Sequence, residues 1–383
     1  MWLNTLLTPL LIGLALVAPA AQADTAPPAD IDPPVLAVGQ APTLQQTLEN
    51  LKDDRIVFVG ETHTRYDHHL VQLETLKFLH RKYGEVALGV EWFQFPFQSV
   101  LDDYVAGRID EAQMLARSGY FDRWRFDYRL YRPILRYARD NGIAIVALNA
   151  PAELTRKIGQ GGLKSLSAAE RARLPATYGP ASAAYRERVR TAFEAHPRQD
   201  QGFEDFFEVM QTWDETMAKT ASDYVKAHPG RHLLVLAGSG HVMFGDGIPD
   251  RVERRTGIRG ARLLVGAEHL EQPHVADFVV LSEARTLPPA GQLGVFLNSA
   301  DARVIVQGLA EDSVLKPLGV VKGDVIVAID DTPTPDFAGL KLALLDRAPG
   351  DEIRMRYRHD DRGVSTEATV AVRLGGAQPP AHP

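Results

Sequence analysis

Arg55-Ile56-Val57-Phe58-Val59-Gly60-Glu61-Thr62-His63 is a β-branched, apolar run stopped by glycine and followed two residues later by histidine. That is the composition of a buried strand leading into a tight turn. The arrangement returns far along the chain as His232-Leu233-Leu234-Val235-Leu236-Ala237-Gly238-Ser239-Gly240-His241. In an open α/β sheet, ligands bind outside the carboxyl ends of parallel strands. The two Gly-x-x-His tetrapeptides therefore predict that His63 and His241 converge on one crevice.

The segments around these runs supply the rest of the sheet. Residues 67–81 carry Leu70, Leu73, Leu76 and Leu79 at near-helical spacing. Residues 86–90 read as a second strand and residues 143–148 as a third, with helical stretches near 96–104, 110–117 and 130–140 between them. A long helical insert, residues 167–227, precedes the fourth strand and is placed to form a lid or a wall over the sheet. Strands alternating with helices predict an α/β fold: a mostly parallel sheet with helices on both faces and a long helical insert, followed by a small β-rich domain.

The strand ends are richer in polar groups than a buried sheet requires. The first ends in Glu61 and His63, the second in Glu91-Trp92, the third in Asn149-Ala150-Pro151 and the fourth in His241. Imidazole nitrogens and carboxylate oxygens are ligands for zinc, manganese or iron, and a further acid can activate a bound water. The same set, Glu61, His63, Glu91 and His241, also suits metal-free hydrolysis with one histidine as general base. Structural roles stand beside these: Glu61 and Glu91 as helix caps or partners of arginines, and Asn149 as a turn residue. In Asp67-His68-His69 the adjacent imidazoles point about 100° apart, so one is expected at the crevice and the other in solvent, with Asp67 as an N-cap.

Composition narrows the function classes. The chain has 383 residues, 45% of them hydrophobic and 24% charged, and a formal net charge of -7. A main role in nucleic-acid binding is not expected, since phosphate neutralisation needs a basic face; the basic residues Arg123, Arg125, Arg129 and Arg132 are only a local group. Cysteine is absent, which removes disulfides, thiolate metal sites and a cysteine nucleophile.

The N-terminus reads as a signal peptide over residues 1–23. Residues 6–17 are apolar except for Thr8, Pro9 and Gly13, and Ala21-Gln22-Ala23 fits a cleavage site. No Lys or Arg precedes the apolar run, so an uncleaved anchor is the alternative. The expected location is the periplasm. Residues 24–42, with Pro27-Pro28 and Pro33-Pro34, read as a tether. A large domain is expected over 43–287, a boundary at Pro288-Pro289, a second domain over 291–374 and a frayed tail over 375–383.

Taken together, Gly60-Glu61-Thr62-His63, Gly89-Val90-Glu91-Trp92-Phe93, the aromatic and basic residues of 120–133, and Ala237-Gly238-Ser239-Gly240-His241 resemble the ChaN-like haem-binding uptake domain. The resemblance covers 43–287. That family belongs to the Tiki/TraB and erythromycin-esterase-like superfamily. The resemblance implies a bacterial envelope protein of haem and iron acquisition, with tyrosinate as axial ligand to ferric haem. Tyr66, Tyr120, Tyr128 and Tyr131 are the candidates for that ligand, and Arg123 and Arg125 for partners of the propionates. The wider superfamily implies metal-dependent peptidases and hydrolases. No cysteine is present for lipid anchoring.

The C-terminal stretch resembles a bacterial PDZ domain of the kind fused to envelope proteases. The resemblance rests on Gln292-Leu293-Gly294-Val295, Val321-Lys322-Gly323-Asp324-Val325-Ile326 and Ala348-Pro349-Gly350-Asp351. It implies that Leu293, Gly294 and Val295 form the loop that holds a terminal carboxylate, with Val295 lining an apolar pocket. An appendage with an occluded groove is the alternative. Two functions follow: a haem- and iron-handling protein whose PDZ module recruits an envelope protein or C-terminal peptide, or a metal-dependent hydrolase. Proximity to a membrane and pairing into a homodimer stay open.

Overall fold

Six strands make the first sheet: β1 Ile56–Glu61, β2 Val86–Gln94, β3 Ala144–Asn149, β4 His232–Gly238, β5 Ala261–Val265 and β6 Phe278–Val280. All adjacent pairs run parallel, in the order β3-β2-β4-β1-β5-β6. The computed structural model describes residues 39, 41–51, 55–195, 202–297, 303–361 and 364–376. The expected signal peptide and nearly all of the tether lie outside the described residues. Among the described residues no helix is long and apolar enough to cross a membrane.

β1, β2 and β4 are buried along almost their whole length, consistent with helices on both faces of the sheet. One core contains Val57, Val59, Leu88, Leu236 and the aromatic residues of 120–131, and a second contains Ile56, Phe58, Leu233 and Val235. Alternate residues of β1 thus feed opposite faces, as a period of two requires. The sequence reading stopped at four strands, whereas β5 and β6 continue the sheet beyond β1. β6 has three residues and is half exposed, too little apolar material to stand out as a strand.

The helix Tyr66–Tyr83 matches the leucine spacing. The insert is a wall built chiefly of Ala183–Ala195 and Phe203–Ala227. The second of these buries Met217, Ala218, Ala221 and Val225 against the sheet.

A separate β-rich domain follows. Its strands are β7 Gly291–Gln292, β8 Val295–Leu297, β9 Val304–Leu309, β10 Val325–Ile329, β11 Thr332–Pro333, β12 Glu352–Asp361, β13 Val364–Arg373 and β14 Gly375–Gly376. The order is β13-β12-β10-β9-β8, with β11 on β10 and a small β7–β14 pair. That pair moves the start of the expected tail, because Gly375 and Gly376 pair with Gln292 and Gly291, while residues 377–383 lie outside the described residues. The helix Phe337–Ala343 lies beside this sheet and buries Leu340 in its core.

Pro288-Pro289 is not a boundary free of contacts. The described residues from Thr43 onward belong to one compact unit. Phe337, Ala338, Leu342 and Leu345 pack on the core of the first domain. Arg132 pairs with Asp346 across the junction, and Arg129 donates to the Pro288 carbonyl at 2.9 Å.

Candidate functional site

β1 and β4 are neighbours in register, Glu61 opposite Gly238. The turns that follow them therefore start side by side. A Cβ on Gly238 would lie 2.8 Å from His63 Cε1 and 3.7 Å from Glu91 Oε2, so the missing side chain leaves room for the His63 ring. Gly60 has a matching reason, since a Cβ there would meet Leu264 Cδ2 at 2.5 Å and the Ser239 backbone at 3.0 Å. The two glycines let the strand ends and the turn after β4 approach one another.

Each imidazole is held through Nδ1 by a buried carboxylate. His63 Nδ1 lies 2.6 Å from Glu61 Oε1, and His241 Nδ1 lies 2.6 Å from Asp214 Oδ1. Glu91 connects the two halves. Its Oε2 accepts from the Gly238 amide at 2.8 Å, and its Oε1 is 3.4 Å from His241 Nε2. Asn149 donates to the Glu91 carbonyl at 3.0 Å and accepts from the Ala150 amide at 2.8 Å, so it fixes backbone. The structure thus brings Glu61, His63, Glu91 and His241 together.

The electrostatics follow from burial and these partners. Burial opposes charge on His241, yet the carboxylates of Glu91 and Asp214 outweigh it and raise its pKa well above the ordinary imidazole value. Burial likewise opposes ionisation of Glu91, but His241 holds its carboxyl down to about 2. For His63 burial lowers and Glu61 raises, with a net rise. The interior pair is thus an imidazolium between carboxylates, while His63, its side chain 27% exposed, is the histidine open to solvent and ligand.

The ring of His63 sits among aromatics, 4.9 Å from Trp124 and 4.8 Å from Phe126 between centroids. Trp124 and Phe126 are half-buried, so the three rings make an aromatic ledge. Beneath it lies His69, whose Nε2 is 3.1 Å from the His63 carbonyl and 3.8 Å from Glu61 Oε2. His68 Nδ1 accepts from the Thr62 amide at 3.1 Å. Both histidines are buried, so the expected solvent-facing partner does not exist. Asp67 is not the N-cap; that place is Arg65, and Asp67 lies inside the first turn, 2.8 Å from the Arg65 guanidinium and bonded by Ser282.

Three of the four tyrosines are placed against the axial-ligand expectation. Tyr120, Tyr128 and Tyr131 are 1%, 1% and 0% exposed. Burial pushes each phenol well above its ordinary pKa, which opposes the tyrosinate form. Tyr128 donates to Glu111 and Tyr131 to the His63 carbonyl. Tyr120, Phe121, Tyr128 and Tyr131 pack inward because that burial is where their area is stabilising. Tyr66, at the start of its helix, is only half-buried. Arg123 is occupied by Gln94 and Glu153. Arg125 is exposed and lines a cavity shared with the C-terminal domain.

No group of three or more histidine, aspartate or glutamate side chains is arranged to hold a metal ion among the described residues. The expected divalent ion has no preformed ligand set, because Glu61 and Asp214 are each committed to an imidazole and Glu91 to the Gly238 amide. Asp214 is the functional residue that sequence reading missed. It comes from the helix Phe203–Ala227, is fully buried, and also accepts from Tyr185 at 2.6 Å. No motif surrounds it.

In the C-terminal domain Gly294 has φ 69°, and a Cβ on it would lie 2.8 Å from Ser313 Cα. Glycine is required there on both counts. Leu293 is buried in the core, while Val295 is half-buried at the start of β8. Any ligand contact from Leu293 therefore runs through its backbone.

A parallel α/β domain carrying two Gly-x-x-His turns, joined to a domain built on a six-stranded antiparallel sheet with a short edge strand, defines the class. The family model for haem-binding uptake, Tiki superfamily, ChaN, matches residues 47–252, and the chain belongs to that family. The PDZ domain model matches residues 291–370. Among solved structures, that of cofacial haem binding to ChaN of Campylobacter jejuni is 15% identical, covers 62% of this chain and 91% of that one, and has a TM-score of 0.50. The HtrA-type protease AlgW with decapeptide is 21% identical over 24% of this chain and 31% of that one, with a TM-score of 0.22. The Arabidopsis thaliana protein RETICULATA-RELATED 5, chloroplastic, is 27% identical over 65% of this chain, which spans 37% of that relative's length.

Proposed function

We propose that this is a periplasmic haem-binding protein of iron acquisition that takes haem on the ledge of His63, Trp124 and Phe126, and that its PDZ domain recruits an envelope partner. The observation that carries this is the half-exposed His63 ring between two half-buried aromatics in a chain of the haem-uptake family. Glu61 accepts from Nδ1 and leaves Nε2, beside Gly238, as the nitrogen with a lone pair in the neutral ring. Trp124 and Phe126 offer apolar surface to a porphyrin face. Haem bound there supplies an iron centre; the residues bind, orient and shield it.

Ferric haem titrated into the full protein is expected to give a Soret shift that His63→Ala weakens at least tenfold in affinity, whereas Tyr131→Phe leaves it near wild type. Binding unchanged by His63→Ala would move the site elsewhere, and Tyr66→Phe then tests the remaining candidate tyrosine, which is half-buried.

One observation favours a second reading, metal-free hydrolysis: the two imidazole–carboxylate pairs facing Glu91. His63 Nε2 would take a proton from water as the water oxygen attacks an acyl carbon, and protonated His241 would donate to the leaving group. Because the His63 pKa is raised, such hydrolysis increases as pH climbs through that raised value and the base form accumulates. Ester cleavage with chelator present, measured against pH, tests it; a rate insensitive to chelator but abolished by His63→Ala supports it, and no cleavage above a His63→Ala control removes it.

A further inference from the structure

A cavity of about 740 Å³ runs along β8. Val295 and Phe296 line one side and Leu340 and Leu344 the other. The third wall does not belong to the PDZ domain: Phe121, Arg125, Phe126 and Arg129 of the haem-uptake domain close it. Among the described residues β8 is the last strand of its sheet, so its outer edge is open to an added extended strand. Phe296 is 62% exposed on that strand, an apolar side chain that a peptide would cover.

Charge selects the occupant. Among the described residues, Arg125, Arg129 and Lys341 line the cavity against a single acid, Asp127, which lies 2.6 Å from Arg129 and is paired with it. Arg129 is further bound to the Pro288 carbonyl. Arg125 differs. Its Nε donates to the Asp122 carbonyl at 3.3 Å, and its terminal nitrogens have no protein hydrogen bond among the described residues. It also holds φ 71°, a left-handed backbone that costs a non-glycine residue on the order of 1 kcal/mol. The segment therefore keeps on the groove wall, at some conformational cost, a guanidinium held through Nε alone, with Asp122 as its neighbouring charge.

We propose that the groove is a composite of both domains and takes an extended peptide that ends in a free carboxylate and carries an acidic side chain opposite Arg125. The carboxylate rests on the PDZ reading above; the acidic preference rests on the wall contributed by the haem-uptake domain. Phe126 is common to this wall and to the His63 ledge, so the two sites share a side chain.

The test uses the full chain and short fluorescent peptides with a hydrophobic C-terminal residue, in four forms: glutamate or lysine upstream, each as free acid or amide. The glutamate free acid should bind about tenfold more tightly than its lysine counterpart, the scale of one charge-assisted hydrogen bond. Arg125→Gly, which relaxes the left-handed backbone, should cut that difference to about twofold or less. Equal affinity for glutamate and lysine peptides, or a preference that survives Arg125→Gly, overturns the composite groove even if amidation weakens binding. Loss of carboxylate dependence with the Arg125-dependent preference intact overturns only the PDZ reading, and failure of all four peptides to bind overturns both.

Discussion

Gly238 is the residue on which the candidate site turns, because the space its missing side chain leaves is occupied by His63. Gly238→Ala puts a methyl 2.8 Å from His63 Cε1, and the half-exposed ring is the part free to move. The expected stability cost is about 1–2 kcal/mol, the lower end for overpacking. The sharper outcome is electrostatic: once the ring leaves Glu61, the hydrogen bond and the carboxylate charge that raise its pKa against burial are lost. Histidine titration by NMR should show the His63 pKa falling towards 6.5 while that of His241, held by Asp214 and Glu91, stays high. An unmoved His63 titration would mean that the glycine is there for the strand alone. The sequence makes this residue visible, since Gly-x-x-His after an apolar run is a local pattern. It cannot show what fills the glycine's empty side, because His63 reaches Gly238 from another strand.

At the scale of elements, the strands that carry the site announce themselves by composition, and the helix that completes it does not. β1 and β4 are continuous apolar runs closed by glycine, and the leucines of Tyr66–Tyr83 repeat at helical spacing. Phe203–Ala227 is also legible as a helix, yet nothing in Trp213-Asp214-Glu215 separates the acid that meets His241 from any other helical acid. Nor does the run of aromatics and arginines in 120–133 declare which side is buried. A haem pocket and a core want the same residues, and the core took Tyr120, Tyr128 and Tyr131. Asp214→Asn tests the helix's contribution. It keeps the shape and leaves the buried imidazolium of His241 with one carboxylate fewer, so unfolding by denaturant should show a loss of roughly 3–5 kcal/mol, the range for breaking a buried pair. The His241 pKa should fall at the same time, because Asp214 raises it through both charge and hydrogen bond. A loss below about 1 kcal/mol with His241 unmoved would place the stabilising charge on Glu91 alone.

For the molecule as a whole, the two domains are legible as separate patterns, and their union is not. Pro288-Pro289 has linker composition, but composition says nothing of the contacts that return across it. Those contacts are mixed in strength. The Arg132–Asp346 pair has Asp346 70% exposed, so solvent screens it and it contributes at most about 1 kcal/mol. The apolar part counts for more, because Phe337 and Leu342, with Leu345 just past the helix end, pack on the first domain's core while Leu340, on the same helix as Leu342, is buried in the PDZ core. One short helix thus serves two cores, which should make the domains unfold together. Leu342→Asp places a charge in the shared contact and leaves Leu340 untouched. Calorimetry of the full chain should therefore show a single transition for the wild type and two for the variant, the PDZ domain melting apart from the α/β domain. A single transition in both would mean that the coupling of the domains does not depend on Leu342. Two transitions already in the wild type would mean that the packing of Leu342 and Leu345 is too weak to join the domains into one cooperative unit.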